Sequence, residues 1–313
     1  MRHYSRPFWL FNAHLETIWP SLMRQPPRPA YRRERIVTAD ADFLDLDWVC
    51  QDQDRLVIVS HGLEGDSYRA YVTGMVNAFS AQGWDALAWN FRGCSGTINQ
   101  QPRFTHNGAT EDLQAVISHA LAGGRYRKIA LVGFSMGGNL SLVYLGREAD
   151  QVPAEVCGAV VFSVPCDLEG AADRLAEPAN RLYMKRFLRL MGGKVAAQAL
   201  RYPKLFPIKD YRRLTSFHEF DARYTAPLHG FADARDYWTQ CSSIRYLEAI
   251  QKPTWIINAV NDPFLSPRCF PQCSNPLVHL LAPQHGGHCG FTSSGHNRRF
   301  WSEIMASDLL ASL

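Results

Sequence analysis

The sequence predicts an α/β fold in which helices cover both faces of a mostly parallel sheet. Its 313 residues suit one large α/β domain, or a domain that carries a sizeable insertion. Hydrophobic residues make up 46% of the chain, which is enough for a substantial core. From about Asp54 onward, short apolar strand patterns alternate with amphipathic helix patterns. This alternation is typical of strands joined by helical crossovers, and therefore of a parallel sheet.

Each strand is predicted by a short apolar run, and each helix by apolar residues that recur every three or four positions. The predicted strands are Arg55–Ser60, Ala86–Trp89, Ile129–Val132, Ala159–Phe162, Trp255–Val260 and Leu277–Leu281. The predicted helices cover residues 68–79, 113–121 and 135 to about 147, with a last one from near His296 that places Trp301, Ile304 and Met305 on one face.

One long segment interrupts the alternation. Residues 166–250 contain no convincing buried strand, so we predict a helical lid inserted before the last two strands. Ligands of open α/β sheets bind at the carboxyl edge of the strands, which such a lid would cover. Residues 37–165 and 251–313 form the predicted core, and residues 1–36 form an arm that packs on it. Long helices are excluded in the arm by Pro20, Pro26, Pro27 and Pro29. Five lid residues are candidates for the pocket wall: Leu182, Met184, Phe187, Leu188 and Met191. Their helical spacing fits equally well with packing in the lid's own core.

The net charge of +4 is small but unevenly spread. Residues 1–36 hold seven Arg against two Glu, and residues 170–213 hold eleven Lys or Arg against three Asp or Glu. Neither stretch is a dense basic run of the type that binds nucleic acid, so we expect no nucleic-acid partner. Two interpretations stay open for the basic residues. They form ordinary solvated surface, or they make weak peripheral contact with an anionic membrane surface or an acidic substrate.

The chain shows no secretion signal, and no apolar stretch approaches the roughly 18 residues that span a bilayer. We therefore expect a cytoplasmic protein whose eight cysteines are reduced thiols. Cys269, Cys273, His285, His288 and Cys289 lie close together in the sequence. They lack the paired C-x-x-C or H-E-x-x-H spacing of zinc sites, so we predict neither a metal nor a cofactor.

The strongest functional signal is the run Gly133-Phe134-Ser135-Met136-Gly137, which matches G-x-S-x-G. The run follows a predicted strand and opens a predicted helix, and this is the context in which the motif marks a nucleophilic serine. Its glycines permit a sharp turn that would present the Ser135 hydroxyl at the positive end of the helix. The alternative is a glycine-rich turn without catalysis. We predict that Ser135 is the nucleophile of a serine hydrolase with the α/β-hydrolase fold.

A serine nucleophile needs a base and an orienting carboxylate, and in this fold they follow it in the order Asp or Glu, then His. His288 lies in a glycine-rich loop after the last predicted strand, where the backbone can bring it to the site. His285 is its competitor. Asp262 directly follows the strand Trp255–Val260 and would hold one imidazole tautomer. Alternatively, Asp262 only caps the turn before Pro263.

Acyl transfer also needs hydrogen-bond donors for the developing oxyanion. We predict the N–H of Met136, which follows the nucleophile, and the N–H of Leu63 in the loop after the first predicted strand. His61 in that loop precedes the nucleophile in the chain, so we interpret it as shaping the loop rather than as the base. Arg92 and His106 are interpreted as structural residues that do not touch substrate, and Arg92 as bracing a loop by bonding backbone carbonyls.

Several longer segments carry a family pattern. They are Asn12-Ala13-His14-Leu15-Glu16-Thr17-Ile18, His61-Gly62-Leu63-Glu64-Gly65, Asn90-Phe91-Arg92-Gly93-Cys94-Ser95-Gly96, Gly133-Phe134-Ser135-Met136-Gly137-Gly138-Asn139, Thr225-Ala226-Pro227-Leu228-His229-Gly230-Phe231 and Gly286-Gly287-His288-Cys289-Gly290-Phe291. In these segments, which span nearly the whole chain, the sequence resembles the YheT-like branch of the α/β-hydrolases, esterases related to eukaryotic lipid-active hydrolases. Glu16 stands where we expect Gln in this family, outside the catalytic set.

The resemblance implies a hydrolase of carboxylic esters with acyl or lipid-like substrates, and a triad of Ser135, Asp262 and His288. The leading hypothesis is an esterase that cleaves a small-molecule acyl ester through an acyl-enzyme. Two alternatives stay open: transfer of the acyl group to an alcohol, and a catalytically silent binding protein on the same scaffold.

Overall fold

One eight-stranded sheet forms the centre of the molecule in the computed structural model, which describes residues 3–293, 299–311 and 313. Its strands are β1 (Arg32–Val37), β2 (Phe43–Val49), β3 (Arg55–Ser60), β4 (Asp85–Asn90), β5 (Lys128–Phe134), β6 (Val156–Phe162), β7 (Thr254–Ile257) and β8 (Val278–Leu281). They lie in the order β1-β2-β4-β3-β5-β6-β7-β8. β2 pairs antiparallel with β1 and β4, and the remaining neighbours pair in parallel.

Helices cover both faces of the sheet. Those described are α1 (Ala13–Met23), α2 (Ala70–Ser80), α3 (Thr110–Ala122), α4 (Met136–Arg147), α5 (Leu168–Ala176), α6 (Arg181–Ala199), α7 (Phe217–Phe220), α8 (Ala226–His229), α9 (Ala234–Cys241) and α10 (Trp301–Ala311). On β3, Leu56 and Ile58 join the core under α3 and α4, and Val57 and Val59 join the core under α2 and α10. Strands that are buried on both faces have continuous apolar runs in their sequence, and such runs were the basis of the strand predictions. The two-sided burial therefore confirms the predicted fold class.

The first two strands were not predicted from the sequence. In the antiparallel register Arg33 faces Asp47 and Arg35 faces Asp45. Each arginine binds its carboxylate through two hydrogen bonds of 2.7 to 2.8 Å. In β2 apolar residues alternate with Asp45 and Asp47, and this alternation is a strand signal. The strand was missed because charged residues are not expected at buried positions, yet both aspartates are buried.

Several predicted element ends differ from the structure. The strand expected to reach Val260 ends at Ile257, because the Asn258 side chain there bonds the backbone of Val164 at 2.7 and 3.0 Å. The predicted start of the last helix near His296 lies outside the described residues. In α10, Trp301 and Met305 are buried.

The segment between β6 and β7 consists of helices α5 to α9 with short 3₁₀ and π turns, and its described residues contain no strand. Met184, Leu188 and Val195 of α6 pack with Phe206 and Tyr224 in a hydrophobic cluster of this insertion. In the described part of the chain, no helix is both long and apolar enough to cross a membrane.

Candidate active site

Ser135 occupies a strained turn between β5 and α4. Its φ of +52° and ψ of −119° lie in a region that non-glycine residues rarely adopt. The turn closes tightly, because a Cβ on Gly133 would come within 2.6 Å of the Gly137 carbonyl oxygen. The Ser135 N–H donates to the Phe162 carbonyl at 2.9 Å, which ties the turn to the neighbouring strand. Such a turn presents a serine at the carboxyl edge of the sheet.

His288 and Asp262 meet at the same edge, in the loops that follow β8 and β7. The Nδ1 atom of His288 lies 2.9 Å from one carboxylate oxygen of Asp262 and 3.2 Å from the other. Asp262 is buried, and the ring of Phe264 packs against the imidazole with 4.2 Å between ring centroids. Burial disfavours the imidazolium, but the charge and hydrogen bonds of Asp262 outweigh it and raise the pKa of His288 to about 10. The geometry therefore pairs His288 with the predicted acid.

The competing histidine has other neighbours. His285 is partly exposed, and its Nδ1 atom lies 3.7 Å from a carboxylate oxygen of Glu16. The Asn261 amide is 3.5 Å away from the same ring nitrogen. Asp262 thus faces His288 and not His285.

The loop after β3 lies directly against Ser135. A Cβ on Gly62 would stand 3.2 Å from the Ser135 Cβ. Buried His61 fixes the loop, since its Nδ1 atom is 2.7 Å from the Gly62 carbonyl and its Nε2 atom accepts the Phe91 N–H at 3.1 Å. Burial lowers the pKa of His61 to about 3, so its ring is neutral. This is the loop-shaping role that the sequence predicted for His61.

The two predicted oxyanion donors border the space in front of Ser135. Leu63 follows Gly62 in the loop, and Met136 opens α4. Within the described chain, neither backbone N–H donates to another residue. Both residues line a cavity that also contacts Ser135. An oxygen of a ligand bound to Ser135 could therefore accept hydrogen bonds from these amides.

Two cavities meet at Ser135 and His288. The first is called here the apolar cavity. Its walls combine the sheet edge with the insertion, which contributes mostly apolar side chains: Leu168, Ala172, Leu175, Phe187, Met191, Phe217 and Phe220. The second, called here the basic cavity, lies between α1, α2 and α6 and is lined by Arg24, Arg69 and Arg186. Glu64, Phe187 and Phe264 border both cavities.

The five lid residues suggested for the pocket wall separate into three groups. Phe187 and Met191 line the apolar cavity. Met184 and Leu188 are buried in the insertion's own cluster. Leu182 is 72% exposed. Helical spacing alone did not distinguish these positions, because the insertion packs on two sides.

Comparison with known proteins agrees with this architecture. Residues 55–293 match the family model of the alpha/beta hydrolase fold. A candidate esterase of Escherichia coli named YheT is 36% identical over 299 residues, which cover 90% of this chain and 84% of that protein. The chain belongs to the α/β-hydrolase family, in the branch of YheT.

Other similarities of this α/β-hydrolase extend to lipid-active proteins and to solved structures. Phospholipase ABHD3 of Bos taurus is 29% identical over 301 residues, which cover 92% of this chain and 73% of the phospholipase. The structure of the esterase Pf2001 of Pyrococcus furiosus aligns with a TM-score of 0.58 at 18% identity. This alignment covers 92% of the hydrolase and 99% of Pf2001, and it supports the fold.

The N-terminal helix of the hydrolase reaches the His288 loop, which sequence reasoning did not predict. Glu16 is buried, and its two carboxylate oxygens accept from the Gly286 N–H and, at 3.0 Å, from the Asn261 amide. The Thr17 hydroxyl accepts from the His288 N–H at 2.9 Å. The Glu16 and Thr17 positions belong to a segment that carried the family resemblance, and this was the only available signal of their importance.

Arg92 of the hydrolase has a structural role, but with different partners from those expected. Rather than backbone carbonyls, its buried guanidinium binds the carboxylates of Asp40, Asp42 and Asp112, at 2.7 to 2.9 Å for the shortest contacts. His106 lies at the edge of the apolar cavity, in ring contact with His229 at 4.4 Å between centroids.

Metal ligands do not assemble among the residues of the hydrolase that the structure describes. Across the described residues, no three His, Cys, Asp or Glu side chains are grouped to hold a metal ion. Cys269 is buried with its thiol 3.6 Å from the Asp167 carbonyl oxygen, and Cys273 lies elsewhere on the sheet edge beside Glu248. All eight cysteines are free thiols.

Proposed function

We propose that the protein is a serine hydrolase that cleaves small-molecule carboxylic acyl esters through an acyl-enzyme on Ser135. The observation that carries the proposal is the juxtaposition of a strained serine with a histidine that is bonded to a buried carboxylate. Ser135 and His288 border the same two cavities. Because Nδ1 of His288 faces Asp262, Nε2 is the nitrogen left to accept a proton from Ser135.

The proposed reaction has two halves. Ser135 Oγ attacks the ester carbonyl carbon while its proton passes to His288 Nε2, and the carbonyl oxygen becomes an oxyanion held by the N–H groups of Leu63 and Met136. The intermediate collapses, the bond to the alcohol oxygen breaks, and the imidazolium protonates the leaving alcohol. Water, deprotonated by His288, then attacks the acyl-enzyme. As the acid leaves, the imidazolium returns the proton to Ser135 Oγ and frees the serine. Asp262 stabilises the imidazolium in both halves.

The apolar cavity supports an acyl chain as the acid part of the substrate. Its lining is dominated by aliphatic and aromatic side chains, and it begins at Ser135. The relatives named as an esterase and a phospholipase act on acyl esters, which agrees with this lining. We propose that residues 166–250 serve as the lid that excludes bulk water from this cavity, because α5, α6 and α7 supply much of its wall.

The same face of the molecule supports weak contact with an anionic membrane. On the N-terminal arm Phe8 is 88% exposed, and Phe11, Leu22 and Met23 are also exposed. Of these residues, Leu22 lines the basic cavity. The start of α6 lies beside this patch, since the His14 ring is 3.1 Å from the Tyr183 hydroxyl. Exposed basic residues of α6 add positive charge there: Arg181, Lys185, Arg186 and Arg189. Apolar side chains rimmed by basic residues favour the interface of an anionic bilayer.

The charge of the arm itself contributes less to this contact than its composition suggests. Arg33 and Arg35 pair with Asp47 and Asp45 in the sheet. Arg24 pairs with Glu303, and Arg6 lies 3.5 Å from Glu16. The proposed contact therefore rests on the exposed apolar residues and on α6.

A fluorophosphonate probe tests the proposed function, because it reacts covalently with activated serines. We expect the wild-type protein to be labelled, Ser135→Ala to remain unlabelled, and the exposed Ser118→Ala control to label normally. A catalytically silent binding protein would not be labelled at all. Adding an alcohol to the ester assay and measuring free acid against transferred acyl product distinguishes hydrolysis from acyl transfer.

A further inference from the structure

The basic cavity differs in charge from the apolar cavity, although both reach the same nucleophile. Three arginines line it, Arg24, Arg69 and Arg186, against one carboxylate, that of Glu64. Glu64 is neutralised by Lys194 of α6, whose ammonium nitrogen lies 2.8 Å from the carboxylate. The ionised side chains of this cavity therefore leave an excess of positive charge beside Ser135.

The three arginines differ in how far acceptor groups of the protein balance their positive charges. Arg24 forms an ion pair with Glu303 and stacks on the Phe300 ring. Arg69 donates to the Glu64 carbonyl at 2.8 Å and lies 3.8 Å from an Asp66 carboxylate oxygen. Two of the three guanidiniums thus already have a protein partner.

Arg186 is the arginine of this cavity whose positive charge has no carboxylate partner among the described residues. Among the described residues, no carboxylate lies within ion-pair distance of Arg186. The Arg186 side chain is exposed at the cavity, but the desolvation of its covered part and the positive charges of Arg69 and Arg189 lower its pKa. Its protein neighbours therefore disfavour its charge rather than stabilise it. Guanidiniums stay protonated in proteins all the same. Two arginines that line the same cavity are both stabilised when an anion binds in it.

The position of this pair relative to Ser135 decides what it could bind. The acyl chain of an ester and its alcohol leave the reacting carbonyl in different directions, and the two cavities diverge from Ser135 and His288. If the apolar cavity takes the acyl chain, the alcohol enters the basic cavity. Helix α2 also begins there at Ala70 without a side-chain cap, and its positive end adds to the potential.

We propose that the basic cavity binds an anionic group, a phosphate or a carboxylate, on the alcohol part of the ester, through the guanidiniums of Arg186 and Arg69. This inference rests on the proposed function, because it assumes that Ser135 attacks the ester. It assigns the preferred substrates to acyl esters of anionic alcohols, and it explains why Arg186 lies at the cavity without a carboxylate of its own. The planar guanidinium fork suits both oxyanions.

The test compares three esters with the same dodecanoyl chain, used below their aggregation limits: 1-acylglycerol, 1-acylglycerol 3-phosphate and an acylated glyceric acid. For each protein, the kcat/KM of each anionic ester is divided by that of the neutral ester. We expect Arg186→Gln to lower this ratio about tenfold, because a hydrogen-bonded charge pair is lost. Arg127→Gln removes one positive charge from an exposed position just before β5, outside the lining of either cavity, and should leave the ratio unchanged.

Each outcome has a definite meaning. A drop for the phosphate ester alone, or for the carboxylate ester alone, supports the site and identifies its anion. Equal losses on all three esters would mean that Arg186 acts only in folding or general access. That result, or equal ratios in Arg186→Gln and Arg127→Gln, overturns the inference. Failure of the proposed function is different: no ester is hydrolysed and the fluorophosphonate probe does not label Ser135.

Discussion

The carboxylate of Glu16 accepts a hydrogen bond from the Gly286 N–H, across 270 positions of the chain. Its other oxygen accepts from the Asn261 amide at 3.0 Å. Asn261 precedes Asp262 and Gly286 lies two residues before His288, so one side chain of α1 joins the loops that hold the acid and the base. Glu16 is a positioning residue for this pair.

We expect Glu16→Ala to lower kcat about 10- to 100-fold with little change in KM, because displacing a catalytic group by about 1 Å has an effect of this size. Glu16→Gln keeps one acceptor oxygen and should recover part of the activity. Steady-state kinetics on a p-nitrophenyl ester measures both effects, with thermal unfolding as the control for folding. An unchanged kcat in a folded Glu16→Ala protein would remove Glu16 from this role.

Replacing the nucleophile has the largest predicted effect. Ser135→Ala should reduce kcat for short p-nitrophenyl esters by about 10⁴- to 10⁶-fold, as triad deletions do. Far-ultraviolet circular dichroism should be unchanged, and Ser118→Ala serves as the exposed serine control. A variant that kept a tenth of the wild-type rate would exclude Ser135 as the nucleophile.

The pH dependence of activity reports on His288. The neutral imidazole is the base, so kcat/KM should rise with pH through the pKa of His288, which the Asp262 carboxylate raises. In Asp262→Asn this carboxylate charge is absent, so we expect the rising limb to move to lower pH while the maximum falls by about 10⁴-fold. Rate profiles of both proteins between about pH 5 and pH 11 make the comparison. A limb that stays in place would mean that Asp262 does not set this pKa.

From the raised pKa of Asp221 we expect an effect of pH on the stability of the fold rather than on catalysis. Burial raises the pKa of Asp221 from 3.8 to about 6, against the hydrogen bonds donated by Thr225 and Trp238. A carboxyl with a raised folded-state pKa contributes stability below its unfolded value of 3.8, and this contribution is lost as the pH rises through about 6.

Asp221→Asn does not titrate, so its stability relative to the wild type should increase between about pH 4 and pH 7, by at most about 3 kcal/mol. Urea unfolding at each pH measures the difference. Exposed Asp150→Asn is the matched control and should show no such trend. A constant difference across this pH range would contradict the raised pKa of Asp221.

Membrane contact predicts co-sedimentation with vesicles. At low salt the protein should bind anionic vesicles more strongly than neutral ones, and added salt should weaken the binding, since each basic residue near the surface contributes about 1 kcal/mol before screening. The double substitution Phe8→Ser and Phe11→Ser should reduce the binding. Val37→Ser changes an apolar residue that is equally exposed on β1 and should not. Equal binding to both lipids, or none to either, would refute an electrostatic contact.

Much of the fold was predictable because its signals are local. The parallel strands from β3 onward and helices α2 to α4 follow from apolar runs and three-to-four-residue spacing. β1 and β2 were missed, since their faces carry Arg33, Arg35, Asp45 and Asp47, which only become compatible with burial when the strands pair. The pocket wall was predicted in part: Phe187 and Met191 face the cavity, whereas Leu182 does not.

The sequence by itself determined the α/β class and the candidates Ser135, Asp262 and His288, because a glycine-rich turn after a strand and side chains after later strands are properties of neighbouring residues. Only the tertiary structure decided that Asp262 faces His288 rather than His285, and that Glu16 joins their two loops. It alone placed Arg186 and Arg69 in the lining of one cavity that reaches the serine. These relationships join residues far apart in the chain, and their distances depend on how the whole sheet and its helices pack.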